Sequence, residues 1–336
     1  MTDTTKISRF LHSQLLLALA AVATAAGAAW LYTLGGGGAA GAAGADVSRG
    51  IVLPSANLWL TNPAVSAAVN VAVTIAMAAF MGLLNRRYNL QRTATALDST
   101  FFLTMSLSAT PLLLHLGTGT VLGVVVLLCL YLLYGSYGDG GATRHVFLVF
   151  LLLSAMTMTQ YCYIVYIPVF MAGIIQMRIL SWRMAAAMFL GLITPWWLLG
   201  GVAMLMPVTI SFPDVTQVFT AFSVQQNAGL IATAALAALL LFVAWVGYFP
   251  QMIAYNAHKR AYNGTFTLLA LMTVIAAAAD ISNIAVYTPV LFLCASLQLG
   301  RLFGGRPTAP GNVAVITLLT IFILIFLWHP LSLILL

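Results

Sequence analysis

The chain has 336 residues, of which 62% are hydrophobic and only 6% charged. Soluble domains carry about 25% charged residues, so these figures exclude a water-soluble fold. The net charge of +7 is read as topology and as attraction to anionic inner-leaflet lipid, and no nucleic-acid partner is expected.

A spanning helix needs about 20 apolar residues. Apolar segments lie near 13–34, 63–84, 99–116, 119–136, 145–159, 161–177, 184–206, 229–249, 265–280, 283–299 and 312–334. The predicted fold is an all-α polytopic bundle, 1–336 forming a single integral membrane domain with about eleven membrane segments. Lys6 and Arg9 in the tail 1–12 precede the first segment. Its length, with Trp30 and Tyr32 inside it, suits a retained anchor better than a cleaved signal peptide. The other basic residues fall at Arg86/Arg87/Arg92, Arg144, Arg178/Arg183, Lys259/Arg260 and Arg301/Arg306, in every second gap between segments. Only Arg49 falls in the other set. Basic residues flanking membrane segments stay cytoplasmic, which predicts a cytoplasmic N-terminus in a bacterial inner membrane.

Two gaps of the opposite, external set are long. Residues 35–62 begin with Gly35 to Gly38, which should leave them flexible, and reach Asp46 and Arg49. Leu58-Trp59-Leu60 then suits a headgroup-level anchor. Residues 207–228 hold Asp214 at the start of a helical pattern in which Val215, Val218, Phe219 and Phe222 share one face. That predicts an interfacial helix or a lid.

The pairs 145–159/161–177 and 265–280/283–299 each read as two short crossings or as one re-entrant hairpin. They share a pattern: Tyr161-Cys-Tyr-Ile-Val-Tyr-Ile-Pro-Val169 leads to Arg178, and Asn283-Ile-Ala-Val-Tyr-Thr-Pro-Val290 leads to Arg301. Repeats are common in transporters. Prolines at 111, 168, 195, 289 and 330 free carbonyls that neighbours or water must satisfy.

Ionisable residues inside a membrane are functional candidates by default. Asp46 and Asp280 are the candidate catalytic residues. Asp280 either faces a cavity, as a base or cation ligand, or caps a helix at the outer interface. Arg49, His115, Asp214, Tyr161, Tyr166, Tyr287 and His329 are the candidate substrate-binding residues. All six acidic residues are Asp, and the five histidines lack metal-ligand spacing, so neither a metal nor another cofactor is expected. Cys129, Cys162 and Cys294 sit in apolar segments and read as small buried hydrophobes. Phosphate-binding loops and nucleophile elbows are absent from the sequence.

The layout resembles membrane glycosyltransferases that use polyprenyl-linked sugars, with many spans and an Asp in the first external loop. That resemblance implies a lipid-linked substrate near Asp46 and Arg49. Asn85-Arg-Arg-Tyr-Asn-Leu90, Trp182-Arg183 and Gly191-Leu-Ile-Thr-Pro-Trp-Trp197 resemble a multi-pass inner-membrane family of Bacteroidetes whose members carry the labels gliding motility or beta-carotene monooxygenase. A carotene oxygenase would want clustered membrane histidines for iron, which this chain lacks. The expected function is handling of a lipid-linked cell-envelope precursor, glycosyltransferase- or polymerase-like, with membrane lipids and a polyprenyl-linked or glycolipid substrate as partners. The alternatives are a secondary transporter or channel, and a non-enzymatic membrane subunit with protein partners in the envelope.

Overall fold

A computed structural model describes residues 9–34, 51–90, 96–205, 227–253, 255–304 and 308–335. Among them every apolar segment read from the sequence is helical, and no strand occurs. The helices are α1 (Gln14–Leu34), α2 (Pro63–Tyr88), α3 (Leu97–Ser108), the single turn α4 (Thr110–Leu113), α5 (Thr118–Tyr134), α6 (Thr143–Thr157), α7 (Tyr166–Gln176), α8 (Trp182–Ala203), α9 (Ala228–Ile253), α10 (Ala257–Ala279), α11 (Ile284–Phe303) and α12 (Ala309–Leu335). Short 3-10 turns at Tyr161–Val165 and Ile281–Asn283 lead into α7 and α11. Seven helical stretches, belonging to α1, α2 and α8–α12, are long and apolar enough to cross a membrane. The chain therefore belongs to the class of helical multi-pass membrane proteins.

The ends follow local chemistry. Asn62 caps α2, its side chain accepting from the amides of Ala64 and Val65. Asn89 closes that helix in the left-handed conformation at φ 49°, a geometry asparagine tolerates. Ser181 caps α8 through the amide of Met184. The segment 99–116 is broken at Ala109, just ahead of Pro111, because proline favours an extended residue near a helix start and cannot donate within a continuous helix. The segment 265–280 extends back to Ala257, since Lys259, Arg260 and Asn263 keep the helix going beyond the apolar stretch. Both helices of the second hairpin pair are long enough to cross. Those of the first pair, Thr143–Thr157 and Tyr161–Gln176, are shorter.

Helix α11 is the axis of the bundle. Of its apolar window 94% is buried, against 22% to 44% for the other six long helices. It packs against α3, α5, α9 and α10. All residues of α3 are buried as well, so this short helix is wrapped by protein and need not match the bilayer. The close approach of α5 to α11 depends on Gly119, where an added Cβ would lie 2.5 Å from the carbonyl oxygen of Ala285 and 2.9 Å from that of Val286. Pro289 leaves the Ala285 carbonyl without its helical donor, and glycine lets a neighbouring backbone close over it. Gly191 plays the same packing part between α8 and α6, with Phe147 O 2.6 Å from an added Cβ. Small residues permit such close crossings in membranes.

The chain reversals gather at two ends. Val52 N donates to Met158 O at 3.0 Å, Asn70 Nδ2 to Leu112 O at 2.7 Å, and Tyr163 Oη to Thr118 O at 3.4 Å. At the opposite end, Gly138 N donates to Met177 O at 3.2 Å, Tyr88 Oη to Tyr131 O at 2.8 Å, and Tyr262 Oη to Tyr134 O at 2.8 Å. In each contact both partners lie in, or within about two turns of, gaps of the same alternating set. The described basic residues, from Arg9 to Arg301, flank the second of these ends, which we call the basic end.

Gly119→Ala and Gly191→Ala should each lower stability by about 1–3 kcal/mol through overpacking, read as a lower unfolding temperature in detergent. Gly200→Ala, where a Cβ meets nothing within 4 Å, should leave the midpoint unchanged or raise it.

Candidate functional site

Three of the residues singled out in the sequence converge at the far end. Asp280 ends α10, where a negative charge meets the negative pole of the helix. Donors offset this. Tyr161 Oη donates to Oδ2 at 2.8 Å, Ser282 Oγ to Oδ1 at 2.7 Å, and Asn283 Nδ2 to both oxygens at 3.0 Å. Tyr287 Oη adds a long contact of 3.5 Å to Oδ2. A carboxylate has about four lone-pair sites, so these donors take up its accepting capacity. The arrangement ties the turn before α7 to the turn before α11, joining the two Val-Tyr-x-Pro-Val units. Tyr166 lies deeper, its hydroxyl 3.4 Å from Thr273 Oγ1. His115 lies half-buried between α4 and α5, with both ring nitrogens sheltered, and is not among the groups around Asp280. His329 lies within α12. Asp46, Arg49, Asp214 and the interfacial helix expected over 213–224 fall outside the described residues, and so does the Gly35–Gly38 run.

Beside this end, α1 and α2 diverge and leave a lateral groove of about 520 Å³. Its walls are mainly alanine: Ala25, Ala28 and Ala29 from α1, with Ala64, Ala67, Ala68 and Ala72 from α2. Tyr32 and Thr33 place hydroxyls at its far rim. Short side chains leave this space between the two helices open. The stretch connecting its two rims is 35–62, which carries Asp46 and Arg49. The later part of that stretch docks on the bundle: Ile51, Ser55 and Ala56 are buried, while Leu58 and Trp59 are exposed.

At the basic end, sequence reasoning passed over a buried pair of charges. Asp98 starts α3 with no exposed surface, and Asn85 Nδ2 donates to it at 3.5 Å. Arg301 of α11 is 4% exposed and its guanidinium nitrogens make no hydrogen bond. The guanidinium lies over the ring of Phe266, 4.7 Å from its centroid, a favourable cation–π geometry. No hydrogen bond joins the guanidinium to Asp98, and the two groups are neighbours only at longer range. Asp98 was the one acidic residue at the edge of an apolar segment facing a basic gap, and that position was the available signal.

Next to this pair, Tyr88, Tyr134, Tyr137, Tyr262, His258 and Arg87 line an open cup of about 440 Å³. The Tyr134 and Tyr262 rings stack at 4.4 Å, and His258 Nε2 lies 2.5 Å from Tyr262 Oη. Arg87 and Tyr88 belong to the Asn85–Leu90 motif, which serves here as a helix stop and as one wall of the cup. The i, i+4 pair His258/Tyr262 was its sequence signal. No cluster of three or more His, Cys, Asp or Glu occurs among the described residues. The three cysteines are buried, and no disulfide joins them.

No family model matches the chain, and no curated protein matches it.

Asp98→Asn should destabilise the protein by about 3 kcal/mol, because removing one of two buried opposite charges leaves the other uncompensated. Arg301→Met in the same background should restore much of that loss in a thermal melt. Losses that simply add would show that the two charges are not coupled.

Proposed function

We propose that this is an inner-membrane protein that holds the hydrocarbon chain of a lipid-linked envelope precursor, with its chemistry on the outer face. The observation that carries this reading is the alanine-walled groove between α1 and α2, whose rims are linked by the stretch containing Asp46 and Arg49. A groove open to the bilayer admits a long-chain substrate sideways, while a polar head would reach the outer rim. The transport reading leaned on Asp280, and the donors that occupy its oxygens weaken it. The proposed topology has eleven crossings with the N-terminus in the cytoplasm. Supporting it, contacts between reversals pair within each alternating set, and basic residues flank one end only among the described residues.

Topology is testable with single added cysteines, because the native three are buried. Asn57→Cys should react with an impermeant maleimide in intact spheroplasts, and Gly140→Cys only after permeabilisation. The reverse pattern would overturn the orientation. The substrate class is testable by mass spectrometry of co-purified lipid. Wild type should retain a polyprenyl-phosphate or glycolipid, and Ala68→Trp, which fills the groove, should reduce it about tenfold, equivalent to about 1.4 kcal/mol. Asp46→Asn tests whether the loop contributes. Bulk phospholipid alone, equal in all three proteins, would rule out precursor handling.

A further inference from the structure

A second lateral pocket, distinct from the alanine groove, lies between α9, α10 and α11. It encloses about 240 Å³, and Leu241, Phe242, Ala270, Leu271 and Val274 make most of its wall. Three polar side chains also line it: Trp245, Thr267 and Gln298. Trp245 Nε1, Thr267 Oγ1 and Gln298 Oε1 are all buried, and among the described residues none has a hydrogen-bond partner. Gln298 is 1% exposed. Buried polar atoms nearly always find partners, and bulk water does not reach this depth of a bilayer-facing wall. Three orphan atoms from three helices lie just beneath the wall of one pocket, where small side-chain rotations would bring them to an occupant.

Their chemistry restricts it. An indole N–H only donates, an amide oxygen only accepts, and a hydroxyl does both. The complementary head must donate and accept at once. No charged side chain lines the pocket, so a charged head would be desolvated without compensation. A hydroxyl satisfies the set, donating to Gln298 Oε1 and accepting from Trp245 or Thr267. Trp245 and Gln298 lie in the last third of α9 and α11, toward the basic end, whereas Ala238 and Val274 lie farther from it. The head would sit low and the chain would rise toward the far end.

We infer that the α9–α10–α11 pocket binds a neutral, hydroxyl-headed long-chain lipid, with Gln298, Trp245 and Thr267 holding the hydroxyl. The source is either a prenyl alcohol or a glyceride, since both present the same head chemistry.

The test is photocrosslinking of the intact protein in nanodiscs with a diazirine-bearing long-chain alcohol, followed by peptide mapping. Labelling is expected on the peptides containing Phe242 and Leu271. Excess geranylgeraniol or excess diacylglycerol should compete, and the stronger competitor identifies the source. Gln298→Leu should cut labelling about tenfold, the scale of a lost hydrogen bond to a buried group, and Trp245→Phe should cut it less. Neither variant removes an intramolecular hydrogen bond, and an unchanged thermal midpoint verifies folding. If Gln298→Leu lowers that midpoint, Thr267→Val serves in its place. The proposal is overturned if labelling is the same in wild type and folded variants, as ordinary boundary lipid or a trapped water would give. Equal labelling by a diazirine-bearing fatty acid of the same chain length at pH 8 would also overturn it, because the head would then not be selected.

Discussion

The enclosure of α11 is the constraint on which the other features depend. A helix facing lipid must satisfy its backbone internally and keep its polar side chains few. A helix wrapped by protein is released from both demands. Pro289 interrupts the hydrogen-bond ladder of α11, and Gly119 of α5 closes over the carbonyl left behind. Gln298 and Arg301 sit on the same helix, buried. The same logic admits α3, too short to cross upright, because helices and not lipid surround it. The outer ring of long apolar helices supplies the lipid-facing surface.

The bundle uses buried polar groups in two ways. At the far end Asp280 is saturated by donors from its own turn and from Tyr161, which turns an ionisable residue into a fastening between hairpins. Other buried polar atoms are left over: Asn70 Oδ1 and Gln160 Oε1 near the far end, and the Arg301 guanidinium, the Gln298 amide oxygen and the Trp245 indole toward the basic end. A satisfied group is explained by the fold that satisfies it. An orphaned group is compensated either by a weaker neighbour, as Arg301 is by the Phe266 ring, or by an occupant.

Much of the architecture was legible because membrane folding is governed by length and hydropathy, which are properties of the chain. The segments and their ends came from apolar runs and basic gaps, and the helix boundaries differ by a few residues where caps such as Asn62 and Ser181 act. The Tyr161, Tyr287 and Asp280 cluster was partly legible, through the shared Val-Tyr-x-Pro-Val pattern and the acidic residue at an apolar edge. Asp98 and Arg301 were not paired in the reading, since each looked like an ordinary end-of-segment charge. Trp245, Thr267 and Gln298 gave no signal at all. Each is unremarked in its own helix, and only the packing of three helices places them around one space.

The sequence by itself determined that the chain is a membrane helix bundle, roughly where its apolar helices lie, and which gaps collect positive charge. These follow from transfer of apolar segments out of water and from charge retention on one side, both local. Tertiary structure decided which helix is central, which carboxylate is consumed as a fastening, and which grooves open to lipid. Those depend on which faces meet across the bundle, and in an apolar environment that choice rests on close packing and polar satisfaction between segments far apart in sequence.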